Sequence, residues 1–238
     1  SKDDGATWTK VTPSGLPDWS MMSIIDPSPY DAGTAYLAAN RYKLDDFKPY
    51  IFRTTDFGKS WSKIVKGIPE VEFVHVVRED PNRKGLLYAG TERGAYVSFN
   101  SGENWQPLQL NLPVTPIHDM AVQKREKDLV VATHGRSFWI LDDLTLLYQL
   151  SDRVAKSDVF LFKPREVYNT GGFSFSAPGV TIGKNPPSGA VVYYYFKTPP
   201  APKDSMKLEF YDSNGKLIKS FEGKSGKDQP GGGGPGVG

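Results

Sequence analysis

Three arginines could form an anion-binding site, because each follows a segment that is predicted to be the second strand of a repeat. They are Arg41, Arg93 and Arg136. A planar guanidinium binds a carboxylate or a sulfate through two parallel hydrogen bonds. If the repeats align, the three side chains point toward one rim and, with His134, predict a ligand-binding surface. The alternative is that each arginine tethers its own loop or pairs with Glu92, Asp45 or Asp46.

A second chemical possibility is hydrolysis of a glycosidic bond, which in inverting enzymes requires two carboxylates about 6.5–9.5 Å apart. Asp119 and Glu92 are candidate members of such a pair, and His118 is a candidate acid or base. His118 and Asp119 are neighbours in a predicted strand, where adjacent side chains point to opposite faces. The two are therefore not expected to act together. The alternative is that these residues line a channel or take part in packing.

The composition argues against several other kinds of site. The net charge of +2 is too small for a dedicated nucleic-acid surface. The chain contains no cysteine and its three histidines are scattered, so neither a metal site nor a cofactor is predicted. There is no glycine-rich phosphate loop and no Gly-x-Ser-x-Gly elbow. No apolar run is long enough to predict a transmembrane segment.

The elements that would position these residues are marked by an eight-residue motif, Ser/Thr-x-Asp-x-Gly-x-Ser/Thr-Trp. It occurs at 1–8 (SKDDGATW) and 54–61 (TTDFGKSW), and a weaker copy lies at 98–105 (SFNSGENW). The third residue folds its oxygen back onto backbone N–H groups, the glycine accepts a positive φ, and the tryptophan is predicted to pack between sheets. The motif residues are therefore predicted to be structural: Asp3, Gly5, Trp8, Asp56, Gly58, Trp61, Asn100, Gly102 and Trp105.

The spacing of these turn motifs predicts a repeated four-stranded unit. The motif tryptophans are 53 and 44 residues apart, and a period of about 40–50 residues is typical of a β-propeller blade. Between the motifs, β-prone segments are predicted as first strands at 22–27, 74–81 and 119–123, second strands at 34–39, 85–90 and 128–133, and third strands at 50–53, 95–98 and 137–141. Residues 1–150 are therefore predicted to be the C-terminal blades of a propeller, with 144–150 as the last outer strand.

A second β unit is predicted after residue 150. Residues 151–188 are expected to be an exit segment and linker, and 189–222 the start of an immunoglobulin-like module, because 190–196 is strongly β-prone and an Asn-Gly turn follows within a hairpin. Residues 223–238 are expected to be a flexible Gly/Pro tail. The predicted fold class is all-β: a partial β-propeller of four-stranded blades followed by an incomplete immunoglobulin-like β-sandwich.

The turn motifs resemble the Asp-boxes of the sialidase and sortilin class of β-propellers. The segment 132–144 (ATHGRSFWILDDL) resembles the closing-blade signature of large bacterial Asp-box, or BNR-repeat, proteins, known as sortilin-like or "glycosyl hydrolase" proteins. The segment 185–195 (NPPSGAVVYYY) resembles the opening of their C-terminal immunoglobulin-like module. The resemblance covers nearly the whole chain and implies an extracellular, periplasmic or cell-surface protein. Because the chain begins inside a motif, it is expected to be a fragment of a longer one.

Two functions follow as hypotheses. The first is a binding or interaction protein, whose propeller face presents the three arginines to a protein, peptide or glycan and whose ring is completed by the rest of the parent chain or by another chain. The alternative is a glycoside hydrolase, sialidase- or glucanase-like, with catalytic carboxylates partly in missing blades. Binding is favoured because no residue pair in the chain meets the requirements of catalysis.

Overall fold

A computed structural model describes residues 1, 3–167, 189–201 and 203–224. The chain divides into two compact units, Ser1–Leu144 and Thr145–Gly238. Each unit is described by itself below. Among the described residues, no helix has the length and apolar character that crossing a membrane requires.

The first unit consists, in its described part, of three antiparallel sheets that follow one another along the chain. Sheet 1 contains β1 (Met21–Pro27), β2 (Ala35–Arg41), β3 (Asp46–Thr54) and β4 (Ser62–Lys63). Sheet 2 contains β5 (Val74–Glu79), β6 (Leu87–Thr91), β7 (Ala95–Ser98) and β8 (Gln106–Pro107). Sheet 3 contains β9 (Ile117–Gln123), β10 (Asp128–Thr133) and β11 (Phe138–Leu141). In each sheet the strands pair in sequence order, so the predicted all-β class is confirmed. The predicted four-stranded antiparallel unit is present in sheets 1 and 2, whereas sheet 3 has three strands.

The main core lies between sheets 1 and 2. Its side chains come from alternate positions of the middle strands, as expected for strands that bury one face against a neighbour. Ala38 and Ile51 of sheet 1 pack with Val77 and Ala89 of sheet 2 in one buried cluster. Trp105 also belongs to this cluster. These side chains are almost entirely removed from water, which is the dominant stabilising contribution to such a stack of sheets.

Sheet 3 approaches sheet 2 closely at one glycine. A Cβ atom at Gly90 would lie 2.6 Å from Cγ2 of Ile117 and 2.7 Å from Cγ1 of Val76. Real carbon atoms do not approach this closely without displacement of one of them. The missing side chain at Gly90 therefore allows the start of β9 to pack against sheet 2, which brings the first residues of β5 and β9 side by side.

The predicted strands match the observed ones most closely in the second half of the first unit, where 128–133 and 95–98 coincide with β10 and β7. The outer strand predicted over 144–150 is wrong, because Thr145–Gln149 forms the short helix α1. No glycine and tryptophan of a turn motif follow β11 to reverse the chain. Instead Leu144 is buried, and its N–H donates to the carbonyl of Lys127 (2.7 Å). The helix begins at the next residue.

The second unit contains α1, the helix α2 (Asp152–Lys156) and two short β pairs. Strand β12 (Val159–Leu161) pairs with β13 (Tyr194–Phe196), and β14 (Ser205–Tyr211) pairs with β15 (Leu217–Lys224). The strand predicted over 190–196 is thus shorter than expected. The predicted hairpin at the Asn-Gly turn is present, with Gly215 at φ +79°. The sandwich stays a prediction, and residues 168–188 and 225–238, which carry most of the predicted linker and tail, lie outside the described residues.

Candidate binding face at the strand ends

The candidate site is built on the first residues of β5 and β9. Val74 and Ile117 begin these strands and are fully buried, and they pair with Thr91 and Thr133 of the neighbouring strands. The residue after each of them is a histidine. Because the two strands have the same register, His75 and His118 occupy equivalent positions in adjacent sheets, and their ring centroids lie 4.3 Å apart.

The third histidine joins this pair from a loop. His134 follows β10, and its backbone N–H donates to the carbonyl of Pro116 (2.9 Å), which fixes the loop against the start of β9. Its ring centroid lies 4.9 Å from that of His118. The three histidines, scattered in the sequence, are therefore stacked in the structure.

The stack continues into aromatic rings at its other end. The ring of Phe73 lies edge-on to His75 at 5.0 Å and stacks on Tyr42 at 4.7 Å. We call the five rings Tyr42, Phe73, His75, His118 and His134 the ring row. Offset and edge-to-face contacts at such distances are favourable for aromatic rings. The ring row links a residue of the β2–β3 connection of sheet 1 with residues at the strand ends of sheets 2 and 3.

A carboxylate holds the centre of the ring row. Glu92 occupies the loop position in sheet 2 that His134 occupies in sheet 3, and its N–H donates to the carbonyl of Phe73 (3.1 Å). Its Oε2 lies 2.9 Å from Nε2 of His75, whose side chain is only 11% exposed. This contact orients the imidazole of His75 and engages the carboxylate of Glu92.

Burial and the neighbouring imidazoles of His75 and His134 lower the pKa of His118 below its usual 6.5. The imidazole of His118 is therefore mainly uncharged at neutral pH. Since the folded-state pKa lies below the unfolded value, His118 contributes stability above pH 6.5 that is lost as the pH falls through the lowered pKa. Nowhere in the described ranges do three or more histidine or acidic side chains form a group that could hold a metal ion.

Beside the ring row lies an open cleft of about 280 Å³. Residues of sheet 1 form one wall and rings of the row form the other. The lining residues are Met21, Met22, Ser23, Tyr42, His75 and His118. The hydroxyl of Ser23 accepts a hydrogen bond from Nδ2 of the buried Asn40 (2.9 Å), so this polar group is already engaged.

The three predicted arginines differ in their surroundings. Arg41 pairs with Asp46 of its own loop, Nη1 to Oδ2 at 2.8 Å, as the loop-tether alternative expects. Arg93 is 62% exposed, and its Nε lies 3.9 Å from Oε1 of Glu72. Arg136 is exposed, and its carbonyl accepts a hydrogen bond from the indole of Trp139 (2.8 Å). Arg93 and Arg136 thus leave cationic groups in solvent, in the two loops that also carry Glu92 and His134.

The predicted acid–base residues are engaged in other contacts. Arg78 donates from Nη2 to Oδ1 of Asp119 (2.8 Å) and from Nη1 to Oδ1 of Asp26 (2.9 Å). Its Nε also donates to the carbonyl of Met120 (3.0 Å). Arg78 therefore ties the first strands of all three sheets together, and Asp119 serves as one end of that tie. His118 lies in the ring row.

Sequence reasoning places His75 only within the predicted first strand 74–81 and does not single out Phe73 or Tyr42. The signal that could have found them is strand register. Aligning the repeats on the buried residue before each histidine, rather than on the Asp-Pro turns, gives His75 and His118 the same position. The placement of Tyr42 depends on the 3₁₀ turn Tyr42–Leu44, which has no counterpart in the other repeats.

The turn motifs lie where β3 and β7 end and have a repeated hydrogen-bond pattern. In the second motif, Oγ1 of Thr54 donates to Asp56 (2.9 Å), which accepts from the N–H (2.9 Å) and the hydroxyl (2.6 Å) of Ser60. The N–H of Gly58 donates to Thr54 (2.9 Å). In the third motif, Asn100 takes the place of the aspartate and accepts from Ser98 (2.9 Å) in the same way. The oxygens of these residues thus hold the turn itself.

The first motif repeats the pattern. Asp3 accepts from the hydroxyl of Ser1 (2.8 Å) and from the N–H (2.9 Å) and hydroxyl (2.6 Å) of Thr7. These hydrogen bonds, that of the Thr7 hydroxyl foremost, lower the pKa of Asp3 to about 2. The hydroxyl of Ser60 has the same effect on Asp56, whose pKa is also about 2. Both carboxylates are therefore ionised at any physiological pH and act as turn acceptors.

No protein-family model matches the chain. Among curated proteins it is similar to the vacuolar protein sorting/targeting protein 10 of Pyrenophora tritici-repentis (strain Pt-1C-BFP), with 31% identity over 86 residues. These residues are 36% of this chain and 5% of that protein, so the chain spans a small part of the length of the curated relative that it matches.

Solved structures of similar shape include a GH74 enzyme of Niastella koreensis, which is 16% identical in sequence and matches with a TM-score of 0.42. The match covers 51% of this chain and 21% of that one. YCF48 with a bound peptide matches at 18% identity over 58% of this chain and 42% of that one, with a TM-score of 0.43. An ancestral GH74 enzyme matches at 17% identity over 84% of this chain and 27% of that one, with a TM-score of 0.42. The chain thus covers less than half of each of these three structures.

Proposed function

We propose that this chain is a protein-binding module of the β-propeller type, and that it binds an acidic segment of a partner protein at the strand ends that carry the ring row. The observation that carries the proposal is the ring row itself, an unbroken line of rings from Tyr42 to His134. It is bordered by the exposed cations Arg93 and Arg136. Rings and guanidinium groups are the side chains that most often dominate protein interfaces.

The architecture supports the propeller assignment. Successive antiparallel sheets follow one another in the sequence, and the turn motifs recur at the ends of their third strands. Both features are typical of propeller blades, and an Asp-box protein with a following immunoglobulin-like module is the family we propose. The similarity over 86 residues to a fungal sorting protein supports a binding role and a place in the secretory pathway or outside the cell.

The glycoside hydrolase alternative is less well supported by the geometry. Its candidate carboxylates are both paired, Asp119 with Arg78 and Glu92 with His75. A carboxylate whose oxygens are engaged by a neighbouring side chain is not free to exchange a proton with a substrate. Binding therefore accounts for the positions of these residues better than general acid–base catalysis does.

The test measures fluorescence anisotropy of a fluorescein-labelled oligo-glutamate peptide titrated with the protein. We expect the wild type to bind this peptide and the double variant Arg93→Ala/Arg136→Ala to bind at least about tenfold more weakly, since each lost charge-assisted contact contributes about 1.5–3 kcal/mol. Both side chains are exposed, so thermal stability is expected to change little.

The matched control is the double variant Lys124→Ala/Arg125→Ala. It removes the same charge from the exposed turn between β9 and β10, at the opposite strand ends. Its affinity for the peptide is expected to equal that of the wild type. An equal loss in both double variants would show general attraction between opposite charges, and no binding by the wild type would refute the proposed ligand class.

A further inference from the structure

We propose, on the basis of the binding function above, that the cleft beside the ring row receives an aromatic side chain of the partner segment. The cleft lies between β1 and the first residue positions of β5 and β9, and it is open to solvent. At about 280 Å³ it falls just below the range of about 300–1,000 Å³ that is typical of small-molecule sites. That size suits one side chain rather than a whole cofactor or a sugar chain.

The two walls of the cleft favour a ring. Met21 and Met22 are partly exposed and present flexible thioethers, which make favourable contacts with aromatic rings. Opposite them lie the rings of Tyr42, His75 and His118, which offer stacked or edge-to-face contacts. An aliphatic side chain would gain burial from the same walls but not these ring contacts.

The charges around the cleft also favour an uncharged aromatic ring. Apart from His75 and His118, none of the residues that line the cleft is acidic or basic, and burial and the neighbouring imidazoles lower the pKa of His118. A charged side chain would therefore lose its hydration in the cleft without gaining an ionic partner. At the rim, the exposed ammonium group of Lys43 lies 5.9 Å from the centre of the Tyr42 ring. This cation favours an acidic residue next to the aromatic one in the partner.

The experiment compares three fluorescein-labelled oligo-glutamate peptides that differ only in one central residue, Trp, Leu or Ala. With the wild-type protein near neutral pH, we expect the Trp peptide to bind about tenfold more tightly than the Ala peptide, with the Leu peptide between them. Equal affinities for the Trp and Ala peptides would overturn the aromatic site while leaving the proposed acidic-segment function intact. If none of the three binds, the proposed function itself fails.

Single substitutions test whether the higher affinity of the Trp peptide arises at the cleft. Met22→Ala and, independently, His118→Ala are expected to remove most of the advantage of the Trp peptide. Ile25→Ala, an exposed residue of the same strand β1 that does not line the cleft, is expected to keep it. The thermal midpoints of all three variants show whether they are folded. A Trp advantage that survives both cleft substitutions in folded protein would overturn the assignment.

Discussion

The third turn motif, residues 98–105, and the first, residues 1–8, share their local hydrogen bonds but not their surroundings. In both, the residue at the third position accepts from a serine hydroxyl and from a backbone N–H four residues on. Yet Trp105 is 5% exposed, whereas Trp8 is 81% exposed. The comparison teaches that the motif specifies the turn, while the neighbouring sheet decides whether its tryptophan contributes to stability.

The packing around Trp105 explains the difference. Its backbone N–H donates to the carbonyl of Lys66 and its indole N–H to that of Ile64 (2.8 and 2.7 Å), so it is tied to the chain that leaves sheet 1. Trp61 of the second motif is an intermediate case, because its indole donates to the carbonyl of Val11 (2.7 Å) and its ring packs beside a smaller cluster of sheet 1. Trp8 has no sheet packed over it among the described residues.

The largest expected effect comes from Trp105→Ala. This substitution removes a buried ring from the core between sheets 1 and 2 and leaves the carbonyl of Ile64 without its donor, so it should lower the free energy of unfolding by about 3–5 kcal/mol. Trp8→Ala should change it by less than about 0.5 kcal/mol. Urea unfolding followed by fluorescence of the remaining tryptophans measures both.

Trp61→Ala sharpens this comparison. The sequence predicts a packing anchor here, but the ring is only partly buried, so the loss should fall between those of the other two variants. Equal losses for all three tryptophans would mean that the turn, rather than the neighbouring sheet, sets their contribution.

A smaller effect is expected at the motif glycines. Gly102 and Gly5 both have positive φ, +87° and +92°, so alanine is strained at either position by about 1–2 kcal/mol. At Gly102 the new Cβ would also clash with Cδ1 of the buried Ile64, whereas at Gly5 the nearest atom is 3.8 Å away in Trp8. Gly102→Ala should therefore cost about 1–3 kcal/mol more than Gly5→Ala in the same unfolding experiment. The reverse order would show that this crowding is relieved without cost.

The smallest effect is a change in acid stability. The pKa of Asp56 is about 2 in the folded chain and 3.8 in the unfolded one, so its contribution is present above pH 3.8 and is lost as the pH falls through about 2. Asn100 holds the third motif without a titrating group. Asp56→Asn should therefore keep the turn at neutral pH and reduce the loss of stability over this acid range. An unfolding midpoint that falls with pH as steeply as in the wild type would contradict this role for Asp56.

Much of the fold could be predicted from the sequence, because its signals are local. The strands at 95–98 and 128–133 follow from β-prone runs between turn residues, and the hairpin follows from the Asn-Gly pair. The turn itself differs from the type I′ turn that this pair favours, because Gly215 has a positive φ and Asn214 does not. The helix Thr145–Gln149 was missed because its apolar residues do not distinguish a short strand from a helical turn. The burial of Leu144, on which this turn depends, comes from contacts with distant residues.

The candidate site was less predictable. The sequence predicts a ligand-binding rim that contains Arg93, Arg136 and His134. It separately predicts His118 as an acid–base candidate. Their relation depends on β5 and β9 starting in the same register, which an alignment on the residue before each histidine gives, and on the close approach of the sheets at Gly90, which no spacing in the sequence reveals. The stacking of His118 on its neighbours follows from that register.

The sequence by itself determined the repeat, its turns and its strands, because each rests on hydrogen bonds and backbone conformations within about eight residues. Only the tertiary structure decided which tryptophan is buried, that Arg78 joins Asp26 to Asp119, and that three scattered histidines form one row. These outcomes depend on the distance between neighbouring sheets. That distance is set by side-chain volumes from segments some 40 residues apart, so no local pattern records it.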